Sequence, residues 1–139
     1  QCWSYYHKEL EEQLKGRMPE NVKFMPFLKR MDLAYACADL VVARAGAGTI
    51  SELCLLGKAV VLVPSPNVAE DHQTKNAMAL VNKQAAVMVK DAEVVERLGE
   101  VMERLLQDDG ERKSLSEHIL TLAMKDSDEV IAREILKIV

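Results

Sequence analysis

The chain has 139 residues, 49% hydrophobic and 29% charged, with a net charge of −4 and a pI near 5.4. That length holds one domain with a real core. The balance excludes disorder, and the acidic charge argues against a nucleic-acid partner, which calls for a basic face. Aromatic residues are only 4%, so the core must rest on aliphatic side chains.

In chain order, the amphipathic stretch from Tyr5 to Lys15, closed by Gly16, predicts a helix. Val22 to Phe27 predicts a short strand, and residues 30–37 a short helix. Ala38 to Ala45 reads as a buried strand, followed by the turn Gly46-Ala47-Gly48 and a helix from Thr49 to Leu56, with Gly57 in the C′ place. Ala59 to Val63 is continuously apolar between Lys58 and Pro64, the mark of a strand buried on both faces. A proline loop from Pro64 to Asn67 precedes a helix at 71–82 and a strand at 85–89. Three helices, about 92–107, 111–124 and 127–138, complete the chain. The last carries Val130, Ile131, Ile135 and Ile138 and is expected to lack a partner surface.

Strands alternating with helices predict βαβ units and a parallel sheet. Ligands of such sheets sit beyond the carboxyl ends of the strands, where segments 45–52 and 64–76 fall. Cys2, Cys37 and Cys54 are odd in number and without CxxC spacing, and read as reduced, buried thiols. No run approaches a membrane span or a signal peptide. The start at Gln1-Cys2-Trp3, without Met, predicts an excised domain.

Two glycines between a strand and a helix permit a sharp turn and the close approach of a ligand. The helix start then offers unpaired N–H groups and a positive dipole end, a seat for a diphosphate or simply a tight turn. Glu52 has two readings. With Thr49 as N-cap it completes a T-x-x-E capping box; alternatively its carboxylate accepts from a ribose diol. In the second segment, Asp71, His72, Gln73 and Asn76 cluster at a helix start, with Asp71 a possible cap. Gln73 and Asn76 share a face, and amides, which donate and accept, suit a sugar's hydroxyls. A solvated first turn is the plainer alternative. His7 and His118 read as solvated faces. No Ser/His/Asp set, HExxH or G-K-[ST] loop is present, so no catalytic residue, metal set or cofactor motif is assigned.

The run from Ala38 to Leu53 (ADLVVARAGAGTISEL), then Gly57-Lys58-Ala59, Pro64 and His72-Gln73-x-x-Asn76-Ala77, resembles the MurG family of two-domain, GT-B glycosyltransferases. The likeness covers essentially the whole chain and is most specific from Asp39 to Ala77. It implies an α/β fold, a Rossmann-like parallel sheet flanked by helices, forming the C-terminal half of a GT-B enzyme. Residues 1–139 would be a single donor-binding domain, truncated at its N-terminus. The implied activity is that of an inverting hexosyltransferase of peptidoglycan synthesis. It moves N-acetylglucosamine from UDP-N-acetylglucosamine to the undecaprenyl-pyrophosphoryl-muramoyl-pentapeptide lipid, without a cofactor, peripherally on the cytoplasmic side of the bacterial inner membrane.

By the same resemblance Glu52 holds the ribose hydroxyls, and the backbone around Ala47, Gly48 and Thr49 faces the sugar and diphosphate. Gln73 and Asn76, with His72, hold the N-acetylglucosamine, and the backbone at Leu28 pairs with the uracil edge. The family's opening strand and first glycine-rich loop have no counterpart here. Its acceptor domain, which meets the lipid-linked acceptor and the membrane, is absent as well, so the segment alone is expected to be inactive. Two alternatives stand beside this. One is a nucleotide-sugar-binding subunit of a split glycosyltransferase. The other is a dinucleotide-binding oxidoreductase fragment, since Gly46-x-Gly48-x-x-Ser51 approaches GxGxxG/A, with Glu70 about twenty residues on.

Overall fold

A computed structural model of the chain describes residues 4–67 and 71–138. Cys2 and Glu70 therefore lie outside the described residues. Contacts cluster into two compact units, Gln1–Cys37 and Ala38–Val139.

The first unit contains α1 (Ser4–Gln13) and α2 (Met31–Cys37). Gly16, at φ +77, turns the chain after α1, a conformation that costs glycine nothing. The His7 ring stacks on Phe24 with centroids 4.6 Å apart. The strand expected at Val22–Phe27 does not form; these residues are irregular. The Val22 N–H is taken by the Pro19 carbonyl at 3.0 Å, Pro26 has no N–H to donate, and Phe27 remains 66% exposed. Apolar alternation alone could not supply the ladder partner a strand requires. Arg30 donates to Asp32 in the first turn of α2, and this bond holds the Asp32 carboxyl below its usual range. Both groups are exposed, so the pair adds little stability.

The second unit is built on a three-stranded parallel sheet in the order β1-β2-β3, with β1 at Val41–Ala43, β2 at Val60–Leu62 and β3 at Val87–Met88. Val41 pairs with Val60 and Val61 with Val87. Every residue of β2 is buried, as expected of an apolar run in the middle of a parallel sheet. Ala59, Val61 and Val63 join a core with Val89, Val101, Leu105 and Leu115. Val60 and Leu62 point to the opposite face, as the pleat requires, and are also fully buried.

Helices connect and cover the strands: α3 (Ala47–Leu56), α4 (His72–Val81), α5 (Val94–Gln107), α6 (Asp109–Leu120) and α7 (Ser127–Leu136). A 3-10 turn, Asp91–Glu93, leads into α5. Gly57, at φ +60, ends α3: its N–H meets the Cys54 carbonyl at 3.3 Å, and the Lys58 N–H meets that of Leu53 at 3.2 Å, a Schellman closure. α5 buries Val101 and Leu105, and α6 buries Leu115 and Ile119. α7 buries no residue; Ile131, Ile135 and Ile138 are exposed, as its sequence leads one to expect. Of the thiols, Cys54 is buried and Cys37 exposed; burial pushes the Cys54 thiol pKa up.

Candidate functional site

The capping box expected at Thr49 and Glu52 is not there. α3 begins two residues earlier, with Gly46 as N-cap and no side-chain cap hydrogen bond. Thr49 is thus the third residue of the helix, and Glu52 lies beyond its first turn. A glycine suits the cap because its extended backbone needs no side chain to hold it. The first helical bond runs from the Ile50 N–H to the Gly46 carbonyl, at 3.0 Å. The N–H groups of Ala47, Gly48 and Thr49 therefore have no acceptor within the helix. Ala47 and Gly48 are exposed, and a Cβ added to Gly48 would meet nothing within 4 Å among the described residues, which leave this end open. Glu52 is exposed, four residues after Gly48 and three after Thr49, which puts it on their face of the helix.

The second segment arrives alongside. The Asn76 side-chain amide donates to the carbonyl of Ala45 at 3.2 Å, and Ala45 is the fully buried residue just before Gly46. This bond joins α4 to the turn that opens α3 across 31 positions of sequence. Gln73 accepts from the Ser65 N–H through its side-chain oxygen at 2.9 Å, tying α4 to the proline loop. Each amide is thereby fixed in polarity. Asn76 keeps its oxygen to accept, and Gln73 keeps its NH2 to donate. His72 opens α4 and is exposed. Asp71 stands in the expected N-cap place at φ +55, without a side-chain cap hydrogen bond.

Seven of the eight sequence-assigned residues (Ala47, Gly48, Thr49, Glu52, His72, Gln73 and Asn76) thus lie in the first two turns of α3 and α4, which the Asn76–Ala45 hydrogen bond ties together, at the carboxyl edge of the sheet. Leu28 belongs to the first unit, half-buried in irregular chain before α2. A cleft of about 280 Å³ lies beside the proline loop, lined by Pro64, Pro66, Asp71, Thr74, Lys90 and Asp91 among others. Sequence reasoning missed Arg44 and Asp91, which form an ion pair at this edge. An Arg inside an apolar strand run was a signal for the first; nothing local marks the second. Among the described residues no His, Cys, Asp and Glu group could hold a metal ion, and no helix is long and apolar enough to cross a membrane.

The sequence pattern of the glycosyltransferase family 28 C-terminal domain matches residues 1–131. The chain belongs to this family. Among relatives of the family 28 domain, the UDP-N-acetylglucosamine–N-acetylmuramyl-(pentapeptide) pyrophosphoryl-undecaprenol N-acetylglucosamine transferase of Bacteroides thetaiotaomicron is 53% identical over 99% of this chain and 37% of its own length. The enzyme of the same name from Parabacteroides distasonis is 51% identical over the whole chain and 38% of its own. The chain therefore spans little more than a third of these curated relatives. The crystal structure of Acinetobacter baumannii MurG superposes with a TM-score of 0.85 at 28% identity, over 99% of this chain and 40% of that one. The Rossmann-like parallel sheet of a GT-B half is the fold of this family 28 domain, and the MurG resemblance holds.

Proposed function

We propose that the chain is the donor-binding part of an inverting N-acetylglucosaminyltransferase that takes its sugar from UDP-N-acetylglucosamine. The acceptor is the undecaprenyl-pyrophosphoryl-muramoyl-pentapeptide lipid, reached through a second domain that also contacts the inner membrane from the cytoplasmic side. The observation that carries this reading is the Asn76–Ala45 hydrogen bond, which joins an open helix end to a pair of sugar-sized amides. The N–H groups of Ala47, Gly48 and Thr49 receive the diphosphate, and Glu52 accepts from the ribose hydroxyls. Gln73 donates to a sugar oxygen, Asn76 accepts from a sugar hydroxyl, and His72 stands beside them. The family resemblance assigns the backbone of Leu28, in the first unit, to the uracil edge.

The chemistry asked of this part is positioning and stabilisation of a leaving group. As the glycosidic bond breaks, charge accumulates on the diphosphate. A preorganised helix end stabilises that charge without reorganising at the moment of reaction, contributing about 0.3–2 kcal/mol through its dipole. The dinucleotide alternative has no support from the family, and its acidic partner, Glu70, lies outside the described residues. Titration of the full-length protein with UDP-N-acetylglucosamine tests the assignment. Removing a charged hydrogen-bond acceptor costs about 1.5–3 kcal/mol, so Glu52→Ala should weaken donor binding by roughly ten- to a hundredfold. An unchanged affinity removes Glu52 from the ribose.

A further inference from the structure

Arg44 leaves β1 and stands one residue before the buried Ala45, yet the donor reading gives it no work. Its Nη1 donates to the carbonyls of Val63 and Pro64, each at 3.3 Å, and pairs with the carboxylate of Asp91. These three acceptors have one thing in common. Val63 and Pro64 follow β2 directly, and Asp91 follows β3 by three positions, so a single guanidinium ties together the exits of all three strands. Val63 and Pro64 are buried, and the next residue, Ser65, is held by Gln73. The entry to the proline loop is thus gripped at three consecutive residues, Val63 and Pro64 by Arg44 and Ser65 by a side chain assigned to the sugar.

We propose that Arg44, with Asp91, is a positioning residue of the donor site, fixing the proline loop and through it Gln73. The alternative use of an arginine at this edge is direct contact with the diphosphate, and the two roles differ in sign. The Asp91 carboxylate competes with any anion for the guanidinium, so in a phosphate-contacting role its removal strengthens donor binding. In a positioning role its removal frees the guanidinium to swing, loosens the loop and weakens binding. A lysine keeps the charge but replaces the rigid planar guanidinium, whose Nη1 meets all three acceptors, with a rotatable ammonium on a flexible stem. The pair is partly exposed, which keeps the expected effect modest.

This inference rests on the donor-site reading, and the test separates the two. In the full-length protein, initial rates are measured with UDP-N-acetylglucosamine varied at saturating lipid acceptor, and then the reverse. Asp91→Asn is expected to raise the donor KM about three- to tenfold, leaving kcat and acceptor KM within about twofold; Arg44→Lys should move the donor KM the same way. A donor KM that is unchanged or lowered in Asp91→Asn overturns the proposal. So does a fall in kcat alone, which signals only a smaller folded fraction. Asn76→Ala serves as the reference. If it raises donor KM while Asp91→Asn does not, the clamp alone fails; if it too leaves donor KM unmoved, the donor-site reading falls and takes the clamp with it.

Discussion

At Gly48 a single residue separates stability from binding. Its position is helical and its surroundings are open, since a Cβ there meets nothing within 4 Å among the described residues. The proposed ligand contacts at this turn are backbone N–H groups, which a methyl group does not remove. Gly48→Ala should raise stability by up to about 1 kcal/mol, through the helix propensity that glycine forfeits, but its methyl group enters the open space proposed for the diphosphate, so donor affinity should fall. Thermal unfolding and a donor titration check both halves. Gln73 and Asn76 make a related point. Residue type suggested that both amides face a sugar, yet each uses half of its capacity on the protein's own backbone. In the proposed donor site, the remaining half determines which sugar atoms each can meet.

Among the elements, helix ends were read less well than helix bodies. The capping box anticipated at Thr49 and Glu52 gives way to a glycine cap at Gly46. A side-chain cap appears instead at α6, where Asp108 accepts from the Glu111 N–H at 2.8 Å and starts the helix two residues before the expected 111. A similar spacing is satisfied at Asp108 and Glu111 but not at Thr49 and Glu52, and the path of the preceding chain decides where each helix begins. At its other end α3 matches its sequence closely. Gly57 adopts φ +60, and an added Cβ would touch Leu120 and the Ser116 carbonyl at 3.5 Å. Gly57→Ala should cost about 1–2 kcal/mol, chiefly the left-handed backbone strain, measured as a lower denaturation midpoint with an unchanged slope. The loss of the strand at Val22–Phe27 has the opposite lesson: apolar alternation nominates a strand, but a ladder partner makes one.

For the whole molecule, the proposed division of labour predicts that residues 1–139 by themselves transfer no sugar. The group that attacks the anomeric carbon is to come from the acceptor side, and donor positioning alone does not create a nucleophile. Incubation of this segment with UDP-N-acetylglucosamine and lipid acceptor should release no UDP above background, whereas the full-length protein should. Turnover by the segment would place the acceptor site within it. The sequence by itself determined the alternation of strands and helices from Ala38 onward, the doubly buried β2 and the two segments that carry the proposed site. These follow from local patterning: 59–63 is apolar throughout, glycines stand where a turn is tight, and family motifs are strings of residues. Only the tertiary structure decided where α3 starts, that Asn76 reaches the Ala45 carbonyl, and that Arg44 joins three strand exits through a partner 47 positions away. Those contacts are set by how the sheet's carboxyl ends meet in space, and spacing along a chain carries no record of that.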